Sequence, residues 1–158
     1  RADFPILSAN LRAAKRSVPE NGNKPYVRFE CDGKSVGVLG LSVPCVTERM
    51  MVKKVSDYYF VQPLEAAREI VPKLRAECDL VIALTHIGIK QDIELAKDVQ
   101  GIDVLLGGHT HTVAEDRVGD TLVFHSGYYG HYVRKLDVEF GEDGVEVQSE
   151  MIALGKAD

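Results

Sequence analysis

Apolar and polar positions change their period several times along the chain, and each change predicts an element. Residues 4–9 and 26–31 read as strands, and the second turns through Asp32-Gly33 into another apolar run at 36–41. Asp-Gly between two such runs predicts a hairpin. The stretch 11–24 is polar and rich in Asn, Gly and Pro, the composition of a surface loop. Over 63–77, Leu64, Ala67, Ile70, Val71 and Leu74 recur at helical spacing with Pro63 in the first turn. Pro72 interrupts this pattern, because it lacks a backbone donor and clashes with the carbonyl four residues back; a kink near 68–72, or a helix in two pieces, is expected. The runs 36–41 and 80–84 read as strands buried on both faces, a short helix follows at 91–99, and 104–106 repeats the strand pattern. Residues 121–125, 132–140 and 145–153 are strand-like, and a Gly-rich turn at 141–144 makes the last two an antiparallel hairpin. This order predicts a mixed α/β sheet structure, and no linker divides 1–158 into two domains.

Composition narrows the picture. The 158 residues are 45% hydrophobic and 27% charged with six prolines, which places the chain among folded proteins. Its net charge of −5 arises from 24 acidic against 19 basic residues, and the basic clusters at 12–16 and 49–54 are diluted by apolar neighbours. That excludes a groove for a nucleic-acid polymer. No stretch approaches the roughly 20 apolar residues of a membrane-spanning helix. The opening residues are no signal peptide, but the chain begins without Met, so this says nothing about location. Cys31, Cys45 and Cys78 include no Cys-x-x-Cys pair, so neither a zinc knuckle nor a disulfide framework is indicated; each is expected to be a small buried residue.

Two of the apolar strands end alike, one at Thr85-His86-Ile87-Gly88 and the other at Gly107-Gly108-His109-Thr110-His111. Ligand sites of α/β sheets lie at such carboxyl ends. The glycine pair lets the backbone turn sharply, and histidines at i and i+2 of an extended segment point to the same side, roughly 7 Å apart at Cα. Both imidazoles then reach one metal ion, or one each of a close pair. Taken singly, each histidine reads as an ordinary residue that caps a helix or sits in a polar turn. Together, three of the five histidines fall just past apolar strands, and this favours a metal cluster. His-x-His also occurs in metallo-β-lactamase and amidohydrolase sites. The former wants an acidic residue two places after the second His, where Val113 stands, and the latter places its pair near the start of the domain. His125 and His131 read as surface or strand residues, Asn10 as a turn former, and Tyr128 and Tyr129 as packing.

The segments Leu80-Val81-Ile82-Ala83-Leu84-Thr85-His86-Ile87-Gly88 and Gly101-Ile102-Asp103-Val104-Leu105-Leu106-Gly107-Gly108-His109-Thr110-His111-Thr112, with the acidic helix near Asp92 between them, closely resemble the calcineurin-like metallophosphoesterases, in their 5′-nucleotidase branch. The segments 4–11 and 127–130 resemble the same branch. The resemblance implies a β-sandwich flanked by helices, with two divalent metal ions, Mn²⁺ or Zn²⁺, at the site. It assigns His86 and His109 to one metal and His111 to the other. The implied chemistry is hydrolysis of a phosphoester, with a nucleotide as substrate and the metal pair lowering the pKa of the attacking water. The implied location is periplasmic or extracellular, with the cytoplasm as the alternative.

The chain also departs from that family. Its Asp-x-His, Gly-Asp and Gly-Asn-His-Glu motifs, which precede the segments matched here, are absent; Gly119-Asp120 reads as a hairpin turn, and Gly22-Asn23 is followed by Lys24. No carboxylate in the chain is placed to hold two metals, so the catalytic acid-base residues lie outside it. The fold is accordingly expected to be incomplete at its N-terminal side, the C-terminal part of a single catalytic domain. Apolar surface left open favours a homo-oligomer or a complementing N-terminal segment. Two functions compete: a piece of a nucleotide phosphohydrolase, or of a cyclic-nucleotide phosphodiesterase or thiosulfate-ester hydrolase of the same superfamily, against a non-catalytic metal- or protein-binding module. The sequence ahead of Arg1 discriminates between them.

Overall fold

The computed structural model describes residues 3–14, 22–141 and 144–155. Its strands are β1 (Leu11–Ala13), β2 (Tyr26–Cys31), β3 (Lys34–Ser42), β4 (Tyr58–Phe60), β5 (Leu80–His86), β6 (Val104–Gly107), β7 (Val113–Val118), β8 (Thr121–Ser126), β9 (Tyr132–Gly141) and β10 (Gly144–Ala153). The helices are α1 (Pro63–Glu77) and α2 (Ile89–Asp98). Asp32 and Gly33 both have positive φ, 48° and 75°, the geometry of a type I′ turn, whose twist suits the β2–β3 hairpin it closes.

The main sheet has the order β2-β3-β5-β6-β8-β7. Its centre, β3-β5-β6-β8, is parallel, and β2 and β7 are antiparallel edges. The continuous apolar runs fall in this centre because both of its faces are covered. On one face α1 and α2 pack Ala67, Val71, Leu74 and Leu95 against Leu39, Val81 and Leu105. Across the other, the β9–β10 hairpin lays Leu136, Val138, Val145 and Val147 over Val36, Leu80, Val104 and Phe124. The result is a mixed sheet flanked by helices, with a second small sheet behind it. Arg134 anchors that second sheet: its guanidinium lies 5.1 Å from the Phe124 ring centre and donates to Ser149 Oγ at 2.8 Å and to Glu115 Oε2 at 2.5 Å. The Ser149 hydroxyl, and after it Arg134, hold the Glu115 carboxyl below its usual range.

Several expectations require correction. Residues 4–9 form no strand; they run across the end of β3, where Ala9 N–H donates to Gly40 O at 2.6 Å, with one bridge between Leu7 and Lys24. A Cβ at Gly40 would lie 2.7 Å from Leu7 O, so this close approach requires glycine. The strand lies instead in the stretch read as loop: β1 pairs with β4, while 15–21 fall outside the described residues. So do 142 and 143 of the β9–β10 turn. α1 runs as one helix with Pro72 inside it, so the alternative of two pieces does not hold. Pro72 and Arg68, whose carbonyl loses its partner, both lie on the exposed side of the helix, where an unpaired carbonyl costs least. β5 is not covered throughout, since Leu84 is 49% exposed. Of the three free cysteines only Cys78 is buried, and burial pushes its thiol pKa up; Cys31 and Cys45 are exposed.

Candidate metal centre

β5 and β6 run side by side with Leu84 opposite Leu106, and their pairing stops there. Two residues further along each chain His86 comes alongside Gly108, where a Cβ would sit 3.2 Å from His86 Nδ1. The chain then bends, and His109 turns toward its neighbour: His109 Nδ1 lies 3.4 Å from His86 Nε2, with the rings edge to face at 73°. Both imidazoles are exposed, so the pair is open to solvent.

That separation has a chemical meaning. Two nitrogens bound to one tetrahedral metal at about 2.1 Å each lie about 3.4 Å apart. The pair therefore forms one edge of such a polyhedron without rearrangement. Without a metal, one ring donates a weak, long N–H···N bond to the other, which requires a single tautomer. Among the described residues, no group of three or more His, Cys, Asp or Glu is gathered to hold a metal ion.

His111 does not join the pair. Its ring stacks on Tyr128, with centroids 5.0 Å apart and planes at 20°, and Tyr129 and His131 complete an exposed aromatic cluster. The expected alternation over 109–111 is absent because the segment is not extended: His109 and His111 have φ of 80° and 58°. Left-handed backbone at two non-glycine residues of one short turn costs of order 1 kcal/mol or more each, and such outliers gather at functional sites. Gly88, with φ of 95°, opens α2 opposite this turn, and Ile89 N–H donates to Thr110 Oγ1 at 3.2 Å.

Behind the exposed pair lies a buried group that the sequence reading missed. Asp92, 0% exposed, accepts from the Thr85 hydroxyl through Oδ1 at 2.7 Å. Its Oδ2 lies 2.8 Å from His125 Nε2; a carboxylate only accepts, so this nitrogen carries the proton. His125 is a strand residue as expected, but it is 1% exposed, and its Nδ1 has no partner among the described residues. One signal was present in the sequence. Asp92 shares the helical stripe of Leu95, Ala96 and Val99, all buried, so an acidic residue stands where an apolar one belongs. Asn10 lies in a turn, as read, but it is also fully buried: it donates to Ser42 O and Val61 O and accepts from Ser42 N–H, tying the end of β3 to the segment leading into α1. Gly119-Asp120 is the tight turn between β7 and β8, as read.

No family model matches the chain. It is 32% identical, over 90% of its length, to the trifunctional nucleotide phosphoesterase protein YfkN of Bacillus subtilis, of which it covers 11%. It is 30% identical over 89% of its length to a probable 5′-nucleotidase of Treponema pallidum, covering 23% of that protein. The chain thus spans less than a third of these relatives' own lengths. Among solved structures it resembles the NAD nucleotidase of Haemophilus influenzae, with a TM-score of 0.78 and 25% identity over 96% of this chain and 35% of the other.

Proposed function

The chain belongs to the calcineurin-like metallophosphoesterases of the 5′-nucleotidase branch, and on that premise we propose that His86 and His109 share one divalent metal ion, that His111 serves a second, and that the whole protein hydrolyses nucleotide phosphoesters. The observation that carries this reading is the 3.4 Å between His86 Nε2 and His109 Nδ1 at the ends of adjacent parallel strands. Mn²⁺ or Zn²⁺ suits imidazole completed by oxygen ligands. Such a metal pair, when bound, lowers the pKa of water and neutralises charge on phosphoryl oxygens. This chain's own part is narrower: it sets two imidazoles at ligand spacing and keeps them open to solvent, with a third imidazole two residues further on. A location outside the cytoplasm belongs to the same reading.

Isothermal titration with Zn²⁺ tests it. The chain is expected to bind Zn²⁺, and His109→Ala and His86→Ala are each expected to weaken binding at least about tenfold, the scale of one lost ligand interaction. Equal binding by wild type and His109→Ala would show that the pair is no ligand set.

We further propose that a second copy, or a complementing N-terminal segment, covers the apolar surface at Phe4, Ile6 and Leu84, exposed by 69%, 51% and 49%. Light scattering at micromolar concentration is expected to find assemblies larger than the monomer when the chain is alone. A well-behaved monomer with a cooperative melt overturns this.

A further inference from the structure

We propose that Asp92, with Thr85 and His125, is a positioning group that sets the spacing of His86 against His109. The proposal rests on the metal reading above and adds to it what holds the two ligands in place. The ladder between β5 and β6 does not: its last pair is Leu84 and Leu106, so both histidines lie beyond the final rung. What continues the connection is the carboxylate of Asp92, carried by α2 behind the two strand ends. Through Oδ1 it fixes Thr85, the residue before His86. Through Oδ2 it fixes His125 on β8, whose partner in the parallel ladder is Gly107, two residues before His109.

Gly107 shows how tightly the parts fit. A Cβ there would overlap both His125 Nε2 and Asp92 Oδ2, far inside the 3.0 Å that real Cβ atoms keep. The end of β6 therefore packs its bare backbone onto the hydrogen bond itself. Any change in that bond is transmitted directly to the Gly107-Gly108-His109 turn. The other tie between the loops, Ile89 N–H to Thr110 Oγ1, is exposed and longer at 3.2 Å. Two short hydrogen bonds to a carboxylate wholly removed from water are the stronger constraint. Among the described residues His125 Nδ1 has no partner, so the hydrogen bonding that orients its ring comes from the Asp92 side.

The test uses the full chain and separates position from folding. Thr85→Val keeps the shape and removes one hydrogen bond, whereas Thr85→Ser restores the hydroxyl; His125→Leu removes the other donor. Zn²⁺ affinity is measured by competition with a chromophoric chelator, and the melt is recorded alongside. Thr85→Val and His125→Leu are expected to lose about tenfold or more in affinity while still melting cooperatively, and Thr85→Ser is expected to retain wild-type affinity. The proposal is overturned if folded Thr85→Val binds as wild type does, or if Thr85→Ser loses as much as Thr85→Val. Should His125→Leu fail to fold, the Thr85 pair still decides. Failure of the metal reading looks different: wild type would bind no Zn²⁺, or His109→Ala would bind equally well. In that event nitrogen-15 spectra of the metal-free imidazoles decide. Thr85→Val is expected to shift the His86 and His109 ring signals and Thr85→Ser to leave them in place; unchanged signals in Thr85→Val overturn the proposal.

Discussion

The 158-residue chain, purified alone and supplied with Mn²⁺ or Zn²⁺, is expected to hydrolyse neither p-nitrophenyl phosphate nor AMP above the metal-only background. A two-metal site needs a ligand that bridges the pair and enough donors to hold each ion at its place. The described residues bring two imidazoles together and no carboxylate beside them. Asp92, the acidic residue nearest in design, already has both oxygens engaged, one by Thr85 and one by His125, and it is shut away from solvent. Recruiting it as a ligand would break two buried hydrogen bonds. The expected shortfall is the whole enzymic acceleration, commonly about a millionfold or more. Phosphate release over hours at micromolar chain measures it. Metal-dependent turnover that His109→Ala abolishes would show the site to be complete as it stands, and the idea would be lost.

How much of this was legible in the sequence follows from the range of each signal. α1 was readable because Leu64, Ala67, Ile70, Val71 and Leu74 repeat at a period that only a helix satisfies, and its bounds agree with the expectation. Pro72 does not divide the helix because its cost depends on which side it occupies, and the exposed side tolerates the lost hydrogen bond. β1 and β4, three residues each, are too short for a period-two pattern to register and exist because they pair with one another across the chain. The strand ends at His86 and His109 were readable from apolar runs followed by Gly and His. The direction of each imidazole was not, because it is set by positive φ at His109 and His111 rather than by alternation. Thr85, Asp92 and His125 form one group only after β5, α2 and β8 are assembled. Asp92 in an apolar stripe was a visible anomaly, but its partner stands 33 residues away.

Gly107→Ala is expected to have the largest effect of any single methyl group added to this chain. The new Cβ falls on His125 Nε2 and Asp92 Oδ2, and neither atom has an easy escape: both side chains are almost fully buried, and Asp92 is held from its other oxygen by Thr85. Either the hydrogen bond opens, or the end of β6 moves off β8. Opening it leaves a buried carboxylate short of one partner, a loss on the order of 3–5 kcal/mol when a buried pair is broken. Against a typical domain stability of about 5–15 kcal/mol this is a large fraction. For a chain of this size it amounts to a fall in Tm of roughly 6–20 °C, or to failure to fold. The neighbouring position provides the contrast, because a Cβ at Gly108 would approach the exposed His86 ring at 3.2 Å and Thr85 O at an ordinary 3.8 Å, so Gly108→Ala is expected to melt close to wild type. A double-mutant cycle locates the cause. Removing the obstructing ring with His125→Ala costs stability by itself, but adding Gly107→Ala on top should then cost less than it does in the wild-type background, since part of the overlap is gone. Urea melts of the four proteins give the coupling. Full additivity, or a Gly107→Ala chain as stable as wild type, would mean that β6 is free to draw away from the Asp92–His125 bond.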